Sequence, residues 1–237
     1  MGEGLDVPFL IDTFFLTLSG VPITLTVAFV ALLIAFPLGI LLAYFRFKQI
    51  PILNSIVRVY VSFVRGTPII IQIFVIYNSI PLLLNVLFTK YNVNIDVFEI
   101  NPIWYAFIVF SFSTTAILIE IFRSAISTID KGQLEAAYSV GLTNLQAYRR
   151  IAFPQILVVA LPNLCTATVN LIKATSLGYA MSLQEITLIA KMEANIGYNY
   201  IEAYIDVFIV YLILCSLIEF AFKLYEKRLA KYKPSYI

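Results

Sequence analysis

The sequence contains no histidine and only two cysteines among 237 residues. Without histidine, the chain lacks the commonest metal ligand and the usual proton shuttle. Cys165 and Cys215 have no neighbours that suggest a metal or a disulfide, and both are typical of small buried apolar residues. The patterns G-x-x-x-x-G-K-[ST], G-x-S-x-G and H-E-x-x-H are also missing. The sequence therefore gives no support to nucleotide hydrolysis, hydrolase chemistry or a metal centre within this chain.

Charge is scarce as well, whereas apolar residues are abundant. Charged residues make up 13% and hydrophobic residues 61% of the chain, and the mean hydropathy is +0.91. A soluble domain averages about 25% charged residues, so this composition predicts an all-α membrane protein. A membrane-spanning helix needs about 20 apolar residues. Five stretches meet this requirement, at roughly 21–45, 59–84, 102–122, 151–172 and 203–222.

No shift in composition marks a second domain. We expect one membrane domain over residues 18–229, an N-terminal segment outside the cell over residues 1–17, and a cytoplasmic tail over residues 230–237. Pro81 should close the second span, leaving residues 82–101 as an outer loop. Pro37 should bend the first span, because proline removes a backbone hydrogen bond.

The distribution of lysine and arginine predicts the orientation in the membrane. If the N-terminus lies outside and the chain crosses five times, most basic residues fall on the cytoplasmic side, together with the C-terminus. Those residues are Arg46, Lys48, Arg58, Arg65, Arg123, Lys131, Arg149, Arg150, Lys223, Lys227, Arg228, Lys231 and Lys233. The net charge of +2 reflects this orientation and does not indicate binding of nucleic acid.

The polar loop over residues 124–154 has the pattern of a compact structure. Asp130 is suited to cap a short helix, with Gln133 at the capping-box position, and Gly141 is suited to the left-handed residue that ends it. Residues 143–146 form a second capping-box pattern that should start the next helix. The loop therefore reads as helix, tight turn and helix.

Within this loop, five residues predict a docking surface for a partner protein. Glu135 is followed by the small residues Ala136 and Ala137, which would allow close approach, and Gly141 permits a sharp turn. Glu135 could pair with a basic group on the partner or brace its own loop. Pro154 follows Gly141 at a spacing of thirteen residues. The alternative is an ordinary helical hairpin on the cytoplasmic side.

The run Arg65-Gly66-Thr67-Pro68 interrupts the second span. Thr67 is a good N-cap and Pro68 a good first helical residue, so a helix should start at membrane depth with free N–H groups suited to a carboxylate. Arg65 either lines a solute path, reaches the inner interface or pairs with Glu120. Weaker candidates for the path are Gln72 and Tyr77.

A second candidate region begins at Lys173, at the end of the fourth span. A charge in hydrocarbon is costly and therefore suggests function. Lys173 could contact a substrate carboxylate, pair with Glu185 or Glu120, or extend to the interface. Thr175 and Ser176 could bond to backbone freed by a helix break, or to substrate.

These motifs together resemble the permease subunits of ABC importers, in the polar amino acid branch of histidine/glutamine type. The resemblance covers roughly residues 18–229. Two departures occur, at Ala174, where many relatives have aspartate, and at Ala116-Ile117, where they have Ala-Tyr. The motifs are Thr24-Leu25, Arg65-Gly66-Thr67-Pro68 with Gln72, Glu120 with Arg123, the Glu-Ala-Ala loop, Phe153-Pro154-Gln155, Leu161-Pro162-Asn163 and Lys173-Ala174-Thr175-Ser176-Leu177.

The resemblance implies a type-1 ABC importer transmembrane domain in the cell membrane, working as a dimer with itself or a sibling permease. Two copies of a separate ATPase, which carry the ATP and Mg²⁺, would dock at Glu135, Ala136, Ala137 and Gly141. An extracellular or periplasmic binding protein would deliver the amino acid. The permease itself would be a non-catalytic subunit.

The substrate follows from the residues only in outline. Residues 138–184 include no carboxylate, and a cationic substrate in the membrane would need one nearby. A neutral or zwitterionic amino acid of cystine type therefore ranks first, and basic amino acids such as arginine or histidine rank second. Glu120 and Glu185 could reverse this order. An ion-coupled carrier, a channel and a structural membrane subunit are the alternatives from other classes.

Overall fold

The computed structural model describes residues 5–93 and 95–229. Its regular structure is helical throughout that part of the chain. Two 3-10 segments, Val97–Glu99 and Thr175–Met181, and a π-helical segment, Tyr148–Ala152, join the longer elements. The α-helices are α1 (Val7–Leu18), α2 (Val21–Phe47), α3 (Pro51–Gly66), α4 (Ile69–Lys90), α5 (Pro102–Ser127), α6 (Lys131–Ser139), α7 (Asn144–Ala147), α8 (Phe153–Ala174), α9 (Ile186–Gly197) and α10 (Tyr200–Leu229).

Within residues 5–93 and 95–229, five helical stretches are long and apolar enough to cross a membrane, in agreement with the predicted number of spans. Each of them contains one of the main helices α2, α4, α5, α8 and α10. They are Val7–Phe47, Ile69–Lys90, Pro102–Ser127, Asn144–Met181 and Tyr200–Leu229.

The second span was predicted wrongly. The expected stretch 59–84 is divided between α3 and α4, and Pro81 lies inside α4 instead of closing it. Proline disfavours helical geometry in the residue before it, so the helix breaks at Thr67 and restarts at Ile69. A crossing that starts there needs about 20 residues and extends beyond Pro81. The loop expected over 82–101 is correspondingly shorter.

The core is built around α5, which packs against α2, α3, α4 and α8. Small residues on α2 make the closest of these contacts possible. Ala31 and Ala35 are fully buried, and a Cβ atom at Gly39 would lie 2.8 Å from the Cβ atom of Leu118 on α5. Small residues are the usual means by which membrane helices approach closely. The α2–α5 pair therefore forms the close-packed centre of the domain.

A second packing unit joins α1, α9 and α10. Asp6 caps α1 by accepting the backbone N–H of Phe9 at 3.0 Å. Its own backbone N–H donates to the Glu202 carboxylate of α10 at 3.0 Å. Gly20, in the turn between α1 and α2, approaches the backbone at the start of α9. The N-terminal helix is thus tied to the first turn of α10.

Candidate functional site

The short helix α6 begins as the sequence predicts. Asp130 is its N-cap and accepts the backbone N–H of Gly132 at 2.9 Å, which satisfies one of the free donors of the first turn. Gln133, in contrast, does not complete a capping box. Its side-chain oxygen accepts a hydrogen bond of 2.6 Å from Gln155 of α8. The capping-box prediction for Gln133 is therefore wrong, because a partner from another helix takes its side chain.

The end of α6 also follows the prediction. Gly141 has φ +82, the left-handed conformation that glycine adopts without strain. Its N–H donates to Tyr138 at 2.9 Å, and the N–H of Leu142 donates to Ala137 at 3.1 Å. These bonds satisfy carbonyl groups at the end of the helix, as in a Schellman motif. Gly141 thus fixes the direction in which the chain leaves α6.

The next helix starts with the predicted capping box. The Gln146 backbone N–H donates to the Thr143 hydroxyl at 3.4 Å, and the Thr143 N–H donates to the Gln146 side chain at 2.9 Å. The chain then runs through α7 and the π segment Tyr148–Ala152 into α8. Pro154 lies in the first turn of α8, directly after the π segment, and its ring removes a backbone donor at this junction.

One face of α6 is open to solvent. Glu135 and Ala136 are exposed, and Val140 and Tyr138 are 77% and 40% exposed. Both ion pairs found in the described part of the chain involve Glu120, so Glu135 takes part in neither. Ala137 is 3% exposed and packs inward, so of the two alanines only Ala136 is available for contact. The face combines one carboxylate with apolar and small side chains.

The break between α3 and α4 differs in detail from the prediction. Pro68, not Thr67, is the N-cap of α4, and the Thr67 hydroxyl donates to the Phe63 carbonyl at 3.0 Å. The Gln72 amide donates to the Val64 carbonyl at 3.0 Å and to the Thr67 hydroxyl at 2.9 Å. Thr67 was assigned to the wrong helix because the carbonyl groups at the end of α3 lack intrahelical partners. Gln72 and Thr67 complete that end.

Glu120 is the centre of an ion cluster that joins two spans. It accepts hydrogen bonds from Arg46 of α2 and, at 3.0 Å, from Arg123 one turn further along α5. The alternative partner considered for it, Arg65, is exposed and forms no ion pair with it. The sequence could not identify Arg46 as the partner, because it lies 74 positions away in the chain. The cluster lies at the C-terminal ends of both helices.

We expect the Glu120→Gln variant to be less stable than the Arg123→Gln variant. Glu120→Gln leaves the Arg46 guanidinium, whose side chain is 15% exposed, without a counter-ion, whereas the Arg123 side chain is 41% exposed and reaches water. Removing one partner of a largely buried pair costs more than removing an exposed one. Thermal unfolding of the detergent-purified subunit measures the difference. Equal losses in the two variants would contradict this assignment.

The Lys173 region uses its polar side chains locally. Lys173 is exposed, and neither of the observed ion pairs includes it, so the suggested pairing with Glu185 or Glu120 is not found. The Thr175 hydroxyl donates to Ile172 at 2.6 Å, and the Ser176 hydroxyl donates to Lys173 at 2.7 Å. Both bonds satisfy carbonyl groups where α8 gives way to a 3-10 segment. This outcome was one of the two alternatives for these residues.

Glu185 is a buried helix cap. It is fully buried and accepts the backbone N–H groups of Thr187 at 2.8 Å and Leu188 at 2.9 Å. The Tyr211 hydroxyl of α10 donates to it at 3.1 Å. A carboxylate at the N-terminus of α9 also interacts favourably with the helix dipole. Tyr211, which the sequence analysis missed, gives no local signal because the contact depends on tertiary packing.

Three of the candidate path residues line two separate cavities among the described residues. Thr67 and Gln72 line an apolar cavity of about 390 Å³ beside α5. Tyr77 lines a second cavity of about 240 Å³, where its ring packs edge-on to Tyr105 at 5.4 Å. The remaining candidates line neither of these cavities: Arg65, Glu120, Lys173, Thr175, Ser176 and Glu185.

Comparison with known proteins gives a consistent result. Residues 35–231 match a protein family described as binding-protein-dependent transport system inner membrane component. The L-cystine transport system permease protein TcyL of Bacillus subtilis (strain 168) is 37% identical over 89% of this chain and 85% of its own length. The probable amino-acid permease protein YxeN of the same organism is 35% identical over 96% of this chain and 97% of its own length.

Solved structures show the same fold. A chain from the crystal structure of an amino acid ABC transporter with histidines superposes with a TM-score of 0.78 at 25% identity, covering 95% of this chain and 100% of that chain. A chain from an inward-facing structure of the MetNI methionine ABC transporter gives a TM-score of 0.69 at 22% identity, covering 97% and 99%. The second likeness concerns the fold alone.

Proposed function

Because the chain belongs to the family of binding-protein-dependent transport system inner membrane components, we propose that it is the permease subunit of an ATP-driven importer for polar amino acids, with a neutral or zwitterionic substrate of cystine type. The predicted membership of the ABC importer permeases is confirmed by the comparisons, and the chain is a non-catalytic membrane subunit. The match to TcyL over most of both chains is the observation that carries the proposal.

The open face of α6 is the proposed docking site for the separate ATPase. Glu135 and Ala136 would make the contact, and Ala137 would hold the helix against the rest of the loop. Gly141 would set the direction in which the chain leaves α6, and Pro154 the start of α8. The exposure of Glu135, Val140 and Tyr138 supports this role. A face that mixes exposed apolar residues with a carboxylate is suited to a protein groove with a basic side chain.

The proposed orientation places the N-terminus outside the cell membrane and the C-terminus in the cytoplasm. α2 and α5 belong to the first and third spans, so their C-terminal ends should lie on the same side, and the contact of Arg46 with Glu120 agrees with this. The loop over residues 124–154 follows directly and shares that side. Its basic residues support a cytoplasmic location.

Two permeases, identical or siblings, would enclose the solute path, and a binding protein would deliver the amino acid from outside. When two partner ATPases close on ATP and Mg²⁺, the α6 helices they hold would move together. The two membrane halves would then rotate between inward and outward access as rigid bodies. In this proposal, α6 of this chain receives the motion, its membrane-spanning helices line the path, and the partner ATPases supply the energy.

The surroundings of two carboxylates favour a substrate without net positive charge. Glu120 is occupied by two arginines, and Glu185 is occupied by two backbone N–H groups and a tyrosine. Neither is therefore available to neutralise a cationic side chain. Asp206 of α10 is a further buried acid, but it lines neither the cavity beside Gln72 nor that beside Tyr77.

We expect the complete complex to take up cystine in preference to basic amino acids. The measurement is uptake of labelled cystine by proteoliposomes that contain the permease, its ATPase and its binding protein, with unlabelled cystine, glutamine, arginine and histidine as competitors. Inhibition should be strongest with unlabelled cystine and weakest with arginine. Stronger inhibition by arginine would contradict the proposed substrate and leave the permease role intact.

A further inference from the structure

One amide side chain connects the exposed helix α6 to the base of the span α8. The Nε2 atom of Gln155 donates to the Oε1 atom of Gln133 at 2.6 Å. The same nitrogen donates to the backbone carbonyl of Ile151 at 3.1 Å. The two glutamines are 22 positions apart, and both are half-buried. This hydrogen bond, called the glutamine bridge below, therefore links α6 directly across the loop over residues 124–154 to the start of α8.

The polarity of this bridge is fixed by its surroundings. An amide nitrogen and an amide oxygen are hard to distinguish by shape, so their assignment depends on the partners. The Ile151 carbonyl only accepts, which requires the NH₂ group of Gln155 on that side. Its second N–H then faces Gln133, which has to present its oxygen. Gln155 is the donor and Gln133 the acceptor.

The bridge lies where mechanical linkage would be needed. α6 has nine residues, too few for a helix to be stable without tertiary contacts. α8 has 22 residues, and at about 1.5 Å per residue it extends about 33 Å, roughly the thickness of the hydrocarbon core. α6 also contacts α7 and the π segment that leads into α8, and the glutamine bridge adds a direct link from α6 to the first turn of α8.

We propose that Gln133 and Gln155 are positioning residues that make α6 and α8 move as one body during transport. The inference rests on the proposed function and identifies the step that carries motion from the docking surface into the membrane. Gln133 holds its place by the bond to Gln155, and Gln155 is held by its bond to Ile151. Neither glutamine needs to touch the substrate or the ATPase.

The fixed polarity gives an asymmetric test. In Gln133→Glu, the carboxylate still accepts from Gln155, whereas in Gln155→Glu a carboxylate faces the Ile151 carbonyl and cannot donate. Gln133→Leu removes the acceptor outright. The measured quantity is amino acid uptake per ATP hydrolysed by the reconstituted complex. It should remain within about two-fold of the original in Gln133→Glu and fall at least about five-fold in Gln155→Glu and Gln133→Leu, the factor typical of one lost hydrogen bond.

A charged pair of the same polarity separates transmission from simple folding. Gln133→Lys alone places an ammonium group against the donor of Gln155 and should uncouple. Gln133→Glu combined with Gln155→Lys keeps an acceptor at position 133 and a donor at position 155, where the donor still faces the Ile151 carbonyl. We expect this double variant to exceed both Gln133→Lys and Gln155→Glu in uptake per ATP. Equal ratios in Gln133→Glu and Gln133→Leu would overturn the inference.

Assembly of each variant with the ATPase is measured alongside the uptake. If Gln133→Leu and Gln155→Glu lose assembly and the pair Gln133→Glu with Gln155→Lys retains neither assembly nor uptake, the bridge is structural only and the inference is wrong. If the original complex itself shows uptake without ATP, the proposed function fails before the bridge is tested. The two failures are therefore distinguishable.

Discussion

Replacement of Gly141 by valine is expected to abolish coupling while the subunit still inserts into the membrane. Gly141 has φ +82, a conformation that costs a non-glycine residue about 1–3 kcal/mol, most for a β-branched one. A Cβ atom there would meet nothing within 4 Å, so the penalty comes from the backbone alone. Relaxation of φ would break the bond from Leu142 to Ala137 that ends α6.

The consequence should be large because the exposed face of α6 would then point in a different direction. We expect uptake per ATP hydrolysed by the reconstituted complex to fall at least about ten-fold in Gly141→Val. The backbone strain at valine disfavours the orientation of α6 that couples to the ATPase, and about 1.4 kcal/mol of strain is enough for a ten-fold change. Gly141→Asn should retain most of the uptake per ATP, since asparagine tolerates the left-handed region.

The control for this series is Gly132→Ala in the same helix. A Cβ atom at Gly132 would lie 3.5 Å from the Asp130 carboxylate, an ordinary contact, and the residue has no positive φ. It should couple normally. Normal coupling in Gly141→Val, or equal losses at both glycines, would show that the turn at Gly141 does not orient a docking surface.

Replacement of Gly20 by alanine is expected to destabilise the whole domain. A Cβ atom at Gly20 would lie 2.5 Å from the backbone nitrogen of Ile186 and 2.7 Å from the carbonyl carbon of Glu185. Backbone atoms cannot turn aside as the end of a side chain does, so the turn between α1 and α2 would be forced away from α9. Glu185 caps α9 at the same place. Overpacking typically costs about 1–3 kcal/mol, and here the start of a buried helix is displaced as well.

Thermal unfolding of the detergent-purified subunit measures this effect. For a chain of this size we expect Gly20→Ala to lower Tm by at least about 5 °C. Gly66→Ala is the matched control, because a Cβ atom there would meet nothing within 4 Å, and its Tm should change by less than about 2 °C. A Tm of Gly20→Ala equal to that of Gly66→Ala would mean that the close approach of the turn to α9 is not required.

The features that could be predicted from the sequence are those set by local chemistry. Asp130 caps α6, Thr143 and Gln146 form a capping box, and Gly141 adopts positive φ. Each capping side chain lies within three residues of the backbone group that it satisfies. At Gly141, the backbone angle alone determines which residue fits. The apolar runs that give the spans are local in the same sense, because the bilayer sets their length.

The features that could not be predicted depend on partners far away in the chain. Glu120 pairs with Arg46 and not with Arg65, and Gln133 pairs with Gln155 instead of its own helix. A sequence shows which groups need partners, but several candidates satisfy the same need. For Lys173, pairing with Glu185 or Glu120 was one of several alternatives, and its side chain is exposed. The packing of the helices decides among the candidates.

The break at Thr67 lies between these cases. Local chemistry placed the interruption correctly, but the hydroxyl of Thr67 serves the end of α3 and not the start of α4. Both helices leave unpaired backbone groups at this point, and the sequence does not say which one a single side chain satisfies. The wrong end of the second span has a different origin, since Pro81 was expected to close a helix that in fact continues to Lys90.

The central claim is that a separate ATPase drives solute movement through this chain by way of α6. Uptake of labelled cystine into proteoliposomes containing the complete complex tests it most directly, compared with and without ATP and with the Glu135→Lys variant, which reverses the charge of the exposed face. We expect uptake to require ATP and to be lost in Glu135→Lys. Uptake that continues at the same rate without ATP, or that is unchanged in Glu135→Lys, would contradict the account.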